Sequence, residues 1–160
     1  MNIADCVRES NRIEGIVRPV TPEEVAEHRR FVNLPRITVL ELERFVAVYQ
    51  PGARLRLAFG ADVRVGTHIP PSGGPHILER LQQLLDLIDT SVNLLPLQAH
   101  VQYETLHPFT DGNGRSGRAL WYWMMRNNPH AELGFLHAFY YQVLETSRLP
   151  LSALAGVKEE

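Results

Sequence analysis

Proline divides this chain into short helical lengths. Pro22, Pro35, Pro51, Pro70, Pro71, Pro75, Pro96, Pro108 and Pro129 recur at intervals that leave room for helices of a few turns. A proline inside a helix removes a backbone donor and clashes with the preceding turn. Thr21-Pro22-Glu23-Glu24 is a helix start, with a capping hydroxyl, proline at the first position and acidic first-turn residues. That helix should run to about Phe31, and Asn33-Leu34-Pro35 stops it. Thr38 caps the next, with Val39, Leu42, Phe45, Val46 and Tyr49 on its buried face and Pro51-Gly52 at its end. His76 to Asp89 places Ile77, Leu78, Leu81, Leu84, Leu85 and Ile88 on one face. Pro96 to Leu106 is a further helix with Leu97, Val101 and Leu106 inside, and His100 reads as a structural histidine within the bundle. From about Gly114 to Met125 another follows, its core side carrying Leu120, Trp121, Trp123, Met124 and Met125; Gly134 to Ser147 forms a last one. Residues 3 to 14 form a short helix with Ile3 and Val7 apolar. The expected fold is an all-α bundle of six to eight helices in a single domain over residues 1–160.

One stretch breaks the helical period. Leu55, Leu57 and Phe59 alternate with Arg54, Arg56 and Ala58, and beyond Gly60-Ala61-Asp62 the valines Val63 and Val65 flank Arg64. Alternation of this kind predicts a small β-hairpin over 54–70.

Composition excludes several classes. The chain is 44% hydrophobic and 21% charged, ordinary for a globular protein with a core. A net charge of −2 gives no electrostatic footprint for direct nucleic-acid binding. No apolar run reaches membrane-spanning length, and the first residues lack the basic and apolar regions of a signal peptide. With Cys6 the only cysteine, no intrachain disulfide is possible and a cytoplasmic setting is the default expectation.

The chemistry concentrates in His107-Pro108-Phe109-Thr110-Asp111-Gly112-Asn113-Gly114-Arg115-Ser116-Gly117-Arg118. Pro108 disfavours helical geometry at His107, and Gly112, Asn113 and Gly114 tolerate the positive φ of a tight loop. A loop of backbone N–H groups feeding a helix N-terminus is an anion site. Arg115 and Arg118 lie near one face of the first turn, where guanidinium forks suit phosphate oxygens. Asp111 would repel phosphate unless a Mg²⁺ ion stood between them. His107 can take a proton near neutral pH. Phosphate clamp, metal carboxylate and base together point to transfer of a phosphate-containing group to a hydroxyl.

The stretch resembles the Fic family signature, His-Pro-Phe-x-Asp-Gly-Asn-Gly-Arg-x-x-Arg, and agrees with it at every fixed position. The resemblance implies AMP transfer from ATP to a Ser, Thr or Tyr hydroxyl of a target protein, with self-modification as a variant. It implies His107 as general base, Asp111 as Mg²⁺ ligand, and Gly112, Asn113, Gly114 and Arg115 as the phosphate cradle. Ser116 and Gly117 belong to the same nucleotide-binding stretch, and Arg118 would reach the γ-phosphate. Tyr140 and Tyr141 look like a tyrosine pair that edges the nucleotide pocket in some relatives; Arg148 replaces an asparagine found there. Val65, Gly66, Thr67 and His68 resemble the family's flap, on which the target segment docks.

Ser10-Asn11-Arg12-Ile13-Glu14-Gly15 is similar to the family's inhibitory motif, which in one group lies N-terminal to the core. The resemblance implies that helix 1–16 is inhibitory and that Glu14, sharing a face with Ser10, pairs with Arg118 in place of the γ-phosphate. Three rivals stand beside adenylylation. The scaffold can move UMP, phosphocholine or phosphate; Glu14 can activate water for the reverse, de-AMPylating reaction; or the chain is a catalytically silent binding module acting through its flap.

Overall fold

The computed structural model describes residues 2–128. Six helices follow one another: α1 (Ile3–Ile13), α2 (Pro22–Val32), α3 (Val39–Tyr49), α4 (His76–Thr90), α5 (Pro96–Leu106) and α6 (Asn113–Met125). Four of the starts, those of α1, α2, α3 and α5, are written in polar side chains. Asn2 Oδ1 accepts the Ala4 N–H at 3.0 Å, and Thr38 Oγ1 accepts the Glu41 N–H at 3.3 Å. Thr21 and Glu24 exchange bonds in a capping box, Glu24 N to Thr21 Oγ1 at 3.2 Å and Thr21 N to Glu24 Oε2 at 2.8 Å. Pro96 opens α5, where the Gln98 side chain accepts the Leu95 N–H at 3.1 Å.

Helix α6 runs through the middle and packs on α1, α2, α3 and α5, while α4 lies against the far side of α5. The core gathers Phe31, Leu42, Phe45, Val46, Ile77, Leu81, Leu85, Tyr103 and Leu120, all nearly excluded from solvent. Phe45 stacks on Tyr49 with ring centroids 4.5 Å apart. Buried polar tips find partners: Tyr49 O–H donates to Glu24 O at 2.8 Å and Trp123 Nε1–H to Leu34 O at 2.7 Å. Helix α1 covers a second cluster of Cys6, Ile13, Val32, Trp121 and Tyr122. Two expected core leucines, Leu78 and Leu97, are instead more than one-third exposed, at the solvent edge of their apolar stripes. Among the described residues no helix is long and apolar enough to cross a membrane. The predicted helix 134–147, with Tyr140 and Tyr141, lies outside the described residues.

The predicted β-hairpin is not present as a ladder. Among the described residues the only β pairing is two isolated antiparallel bridges, Leu55 with Phe109 and Val65 with His68. Segment 54–56 pairs with the loop at 108–110: Arg56 N–H donates to Pro108 O and Thr110 N–H to Arg54 O, both at 2.9 Å. The alternation at 54–59 misled because it does not sort inside from outside. Leu55 is buried and so is Arg56, whereas Leu57 and Phe59 face solvent, Phe59 at 84% exposure.

His28 on α2 is buried edge-on to Phe45 and Tyr122, at 5.9 and 5.7 Å between centroids. Burial pushes its pKa down to about 4. The unfolded chain therefore takes up this proton first, near the ordinary pKa of about 6.5, and stability drains as pH falls from there towards 4. His28→Phe keeps the aromatic contacts without the titration. Urea unfolding should show a smaller loss between pH 7 and pH 4.5 for His28→Phe than for wild type; equal losses would mean that His28 is not buried neutral.

Candidate active site

The loop between α5 and α6 is built by three local devices. Helix α5 ends at His107, which adopts a left-handed conformation, φ 50° and ψ 63°, with its N–H still bonded to Tyr103 O at 2.9 Å. His107 is the one non-glycine with positive φ among the described residues, a geometry that costs roughly 1–2 kcal/mol for an L-residue. Gly112 takes φ 78° and starts α6. Between them the Asn113 side chain closes the loop on itself: Phe109 N–H donates to Asn113 Oδ1 and Asn113 Nδ2 donates to Phe109 O, both at 2.8 Å. Ser116 is equally committed, with its hydroxyl on Tyr103 Oη at 2.7 Å and bonded to Gly112 O at 2.9 Å. Gly117 lets α5 approach, since a Cβ there would lie 2.4 Å from Glu104 Oε1. The side chains of Asn113 and Ser116 thus shape the loop and leave any ligand to its backbone.

Helix α6 has no side-chain cap. The N–H groups of Asn113, Gly114 and Arg115 head it with no intrahelical acceptor, and the positive end of the helix dipole points the same way. Gly114 has no side chain to block them. A carboxylate is already there: a Cβ at Gly114 would stand 2.2 Å from Glu14 Oε1 and 3.0 Å from Arg118 Nη1.

Arg118 is buried, and its guanidinium faces α1. Nε–H donates to Ser10 Oγ at 2.9 Å, Nη2–H to Ser10 O at 3.1 Å and to Glu14 Oε1 at 2.5 Å. Ser10 and Glu14 therefore do meet Arg118, with Glu14 as the C-cap of α1. Helix α1 is fastened further by Asn11 Nδ2 on Glu24 Oε1 at 3.4 Å, while Arg18 grips the same carboxylate at 2.8 and 3.0 Å.

The expected two-arginine clamp does not form. Arg115 turns away to the C-terminus of α3, donating to Tyr49 O at 3.1 Å and Gln50 Oε1 at 2.8 Å, its guanidinium 5.7 Å from the Tyr49 ring centroid. The carbonyl end of α3 is the favourable place for a buried cation. Arg115 can reach a phosphate here through its backbone N–H rather than its fork.

The His107 ring is 14% exposed, with Nδ1 buried towards Glu104, whose Oε2 is 3.8 Å away. With Nδ1 buried, Nε2 is the ring nitrogen left to meet a substrate. Burial pushes its pKa down to about 4; the Glu104 backbone opposes this, the charges of Arg56 and His68 add to it, and Glu14 opposes it. His107 is therefore neutral, and able to accept a proton, at neutral pH. Asp111 is exposed, and one of its oxygens accepts the Gly112 N–H at 2.6 Å. No group of three His, Cys, Asp or Glu side chains that could cage a metal exists among the described residues. A Mg²⁺ held by one carboxylate, waters and substrate phosphates needs none, so Asp111 fits that role.

At the predicted flap, Val65 and His68 exchange backbone bonds at 3.0 and 2.9 Å around Gly66, φ 57°. This is a tight turn rather than a strand arm. The His68 ring reaches back, Nε2 on Thr105 O at 3.0 Å, beside the last turn of α5.

Sequence reasoning missed Arg56. Its side chain is buried and its guanidinium donates to four carbonyls: His107 O at 2.6 Å, Leu106 O and Pro71 O at 2.8 Å, and Ala61 O at 3.2 Å. Only its position two residues from Arg54 in an alternating run could have marked it, and that run argued for exposure.

Comparison with known protein families matches the Fic/DOC family over residues 33–125. The match covers more than half of the chain and spans α3 to α6 with the whole loop, so the chain belongs to the Fic/DOC family. Members of this family are typically transferases of phosphate-containing groups and generally use ATP and Mg²⁺. The match begins after α1 and α2.

Removing the Asn113 amide strands a buried N–H and a buried carbonyl of Phe109, each worth about 1–3 kcal/mol when left unpaired. Asn113→Ala should lower stability in urea by about 2–4 kcal/mol on that basis. Asn113→Asp, which keeps the acceptor alone, should fall between it and wild type. An unshifted midpoint for Asn113→Ala would show that another contact closes the loop.

Proposed function

We propose that this protein is an adenylyltransferase that moves AMP from ATP to a hydroxyl of a target protein and that Glu14 holds it inactive. The observation that carries the reading is the uncapped head of α6 with bare Gly114, where the Glu14 carboxylate sits against Arg118. An anion occupies an anion site, and it belongs to the chain itself.

In the reaction the acceptor hydroxyl of a Ser, Thr or Tyr gives its proton to His107 Nε2 as its oxygen bonds to the α-phosphorus of ATP. The bond from that phosphorus to the bridging oxygen breaks, and pyrophosphate leaves with the electron pair. The N–H groups of Asn113, Gly114 and Arg115 and the Arg118 guanidinium take the charge on the phosphates. Mg²⁺ on Asp111 supplies further charge neutralisation when bound. Both Tyr140 and Tyr141 stand as candidate nucleotide contacts on sequence alone. The target docks beside the turn at Val65, Gly66, Thr67 and His68, where the exposed Leu57, Phe59 and Ile69 offer apolar contact. A hydroxyl of the chain itself is an alternative acceptor. A catalytically silent module has no use for a histidine held in a left-handed conformation with its base form secured at neutral pH.

A carboxylate on Arg118 and a γ-phosphate compete for the same guanidinium edge. Glu14→Gly should therefore raise AMP incorporation at least about tenfold, a shift of about 1.4 kcal/mol in barrier or competent population. Intact-mass measurement after incubation with Mg·ATP reads it directly as a gain of one AMP. Unchanged incorporation in a variant that does transfer AMP would end the inhibitory reading.

In that activated background His107→Ala should lower the rate by about 10²–10⁴-fold, the usual worth of a general base, with ATP binding retained. A base with pKa pushed from 6.5 towards 4 stays deprotonated as pH falls. The acid limb of the rate should accordingly lie below about pH 5. A limb centred near 6.5 would place the active histidine in solvent instead.

A further inference from the structure

We infer that Arg56 is a positioning residue for transfer, one cation that sets His107 and seats the docking turn together. This rests on the function proposed above. Four bonds fan out from one guanidinium into three segments of chain. Two go to Leu106 O and His107 O, the carbonyls that α5 leaves without partners at its end. The other two go to Ala61 O and Pro71 O, which flank the excursion carrying the Val65–His68 turn. The backbone of Arg56 completes the junction, its N–H on Pro108 O and its carbonyl taking the Gly74 N–H, each at 2.9 Å.

The arrangement does what a neutral residue could not. A left-handed histidine before proline is a strained helix end, and the bonds to its own carbonyl and the preceding one hold it there. Lysine offers a compact head in place of the planar fork that reaches four acceptors. No carboxylate pairs with Arg56 among the described residues; the nearest acidic influence, Asp62, has Oδ1 on the Gly73 N–H at 2.8 Å. The charge is therefore felt by its neighbours. His107 is faced by Arg56 from the 54–56 segment, by His68 from the turn, by Glu14 from α1 and by Glu104 from its own helix. Arg56 and His68 disfavour a proton on His107, and Glu14 favours one. When Glu14 leaves, the balance moves further towards the free base. The turn and the base thus share one anchor, so a target pressing on the turn acts on the element that orients His107.

The test uses the full chain with Glu14→Gly as parent, and adds Arg56→Lys and Arg56→Met. Fold is checked by circular dichroism, and the His107 ring is titrated by ¹⁵N-resolved NMR. In Arg56→Met the His107 titration midpoint should rise by at least about half a pH unit, since a neighbouring charge has gone. In Arg56→Lys the midpoint should stay with the parent, while kcat for AMP incorporation falls at least about tenfold and KM for ATP stays within about threefold, as misplacement of a base predicts. A folded Arg56→Lys with parental kcat would overturn the positioning role even if Arg56→Met fails to fold. A folded Arg56→Met with parental titration would overturn it as well. Should the Glu14→Gly parent itself transfer no AMP, the proposed function fails, and the NMR titration still judges the link from Arg56 to His107.

Discussion

The first turn of α6 is left without a cap, and much of the molecule exists to keep it so. A helix start that buries its donors without partners is costly, and α2 and α3 satisfy theirs with Thr21 and Thr38. Helix α6 begins instead with Gly112 in a left-handed turn, and the polar side chains nearby are spent elsewhere. Asn113 holds Phe109, and Ser116 holds Tyr103 and the Gly112 carbonyl. What remains is a cluster of N–H groups at the positive end of a buried helix, open wherever Gly114 has no side chain. An electrostatic feature of that kind is worth most in a site from which water is excluded.

Three buried guanidiniums fix the frame around it. Arg115 ties α6 to the carbonyl end of α3, Arg118 ties it to α1, and Arg56 ties the end of α5 to the preceding loop. Burying a cation is expensive, and carbonyl oxygens repay it through directed, charge-assisted bonds rather than through bulk attraction. Such bonds demand geometry, so each arginine specifies where two elements meet. Of the three, only Arg118 pairs with a carboxylate on a separate, N-terminal helix. Its partner Glu14 remains about one-third exposed, whereas Arg118 is almost fully buried. Water reaches the carboxylate half of the pair and not the guanidinium half.

Helix α1 is itself held by a mixture of contacts. Cys6, Val7 and Ile13 are buried, yet Ser10, Asn11 and Glu14 carry polar links to Arg118 and Glu24. Water can replace polar links at modest net cost, while apolar burial resists exposure. A helix joined in this way is seated by its apolar side and fastened to Arg118 by polar links.

The helices were legible in sequence because their causes are local. Proline spacing, capping threonines and 3.6-residue apolar periodicity act within a few residues, and α2, α3, α4 and α5 begin where those signals place them. The turn before α6 was legible for the same reason at Pro108 and Gly112, whereas Asn113 and Gly114, read as loop, lie in the first turn of α6; the pairing of Glu14 with Arg118 followed from its resemblance to the Fic motifs. What tertiary structure decided is which way long side chains turn. Arg115 and Arg118 stand three residues apart and go to different helices, because α3 ends at one and α1 lies over the other. Arg56 looked like the outer face of a strand and is the inner anchor of the site, because Leu106 and His107 left carbonyls facing it across fifty residues of chain. Backbone preferences are read by neighbours in sequence; the destination of a guanidinium is set by unpaired oxygens that only the folded chain brings within reach.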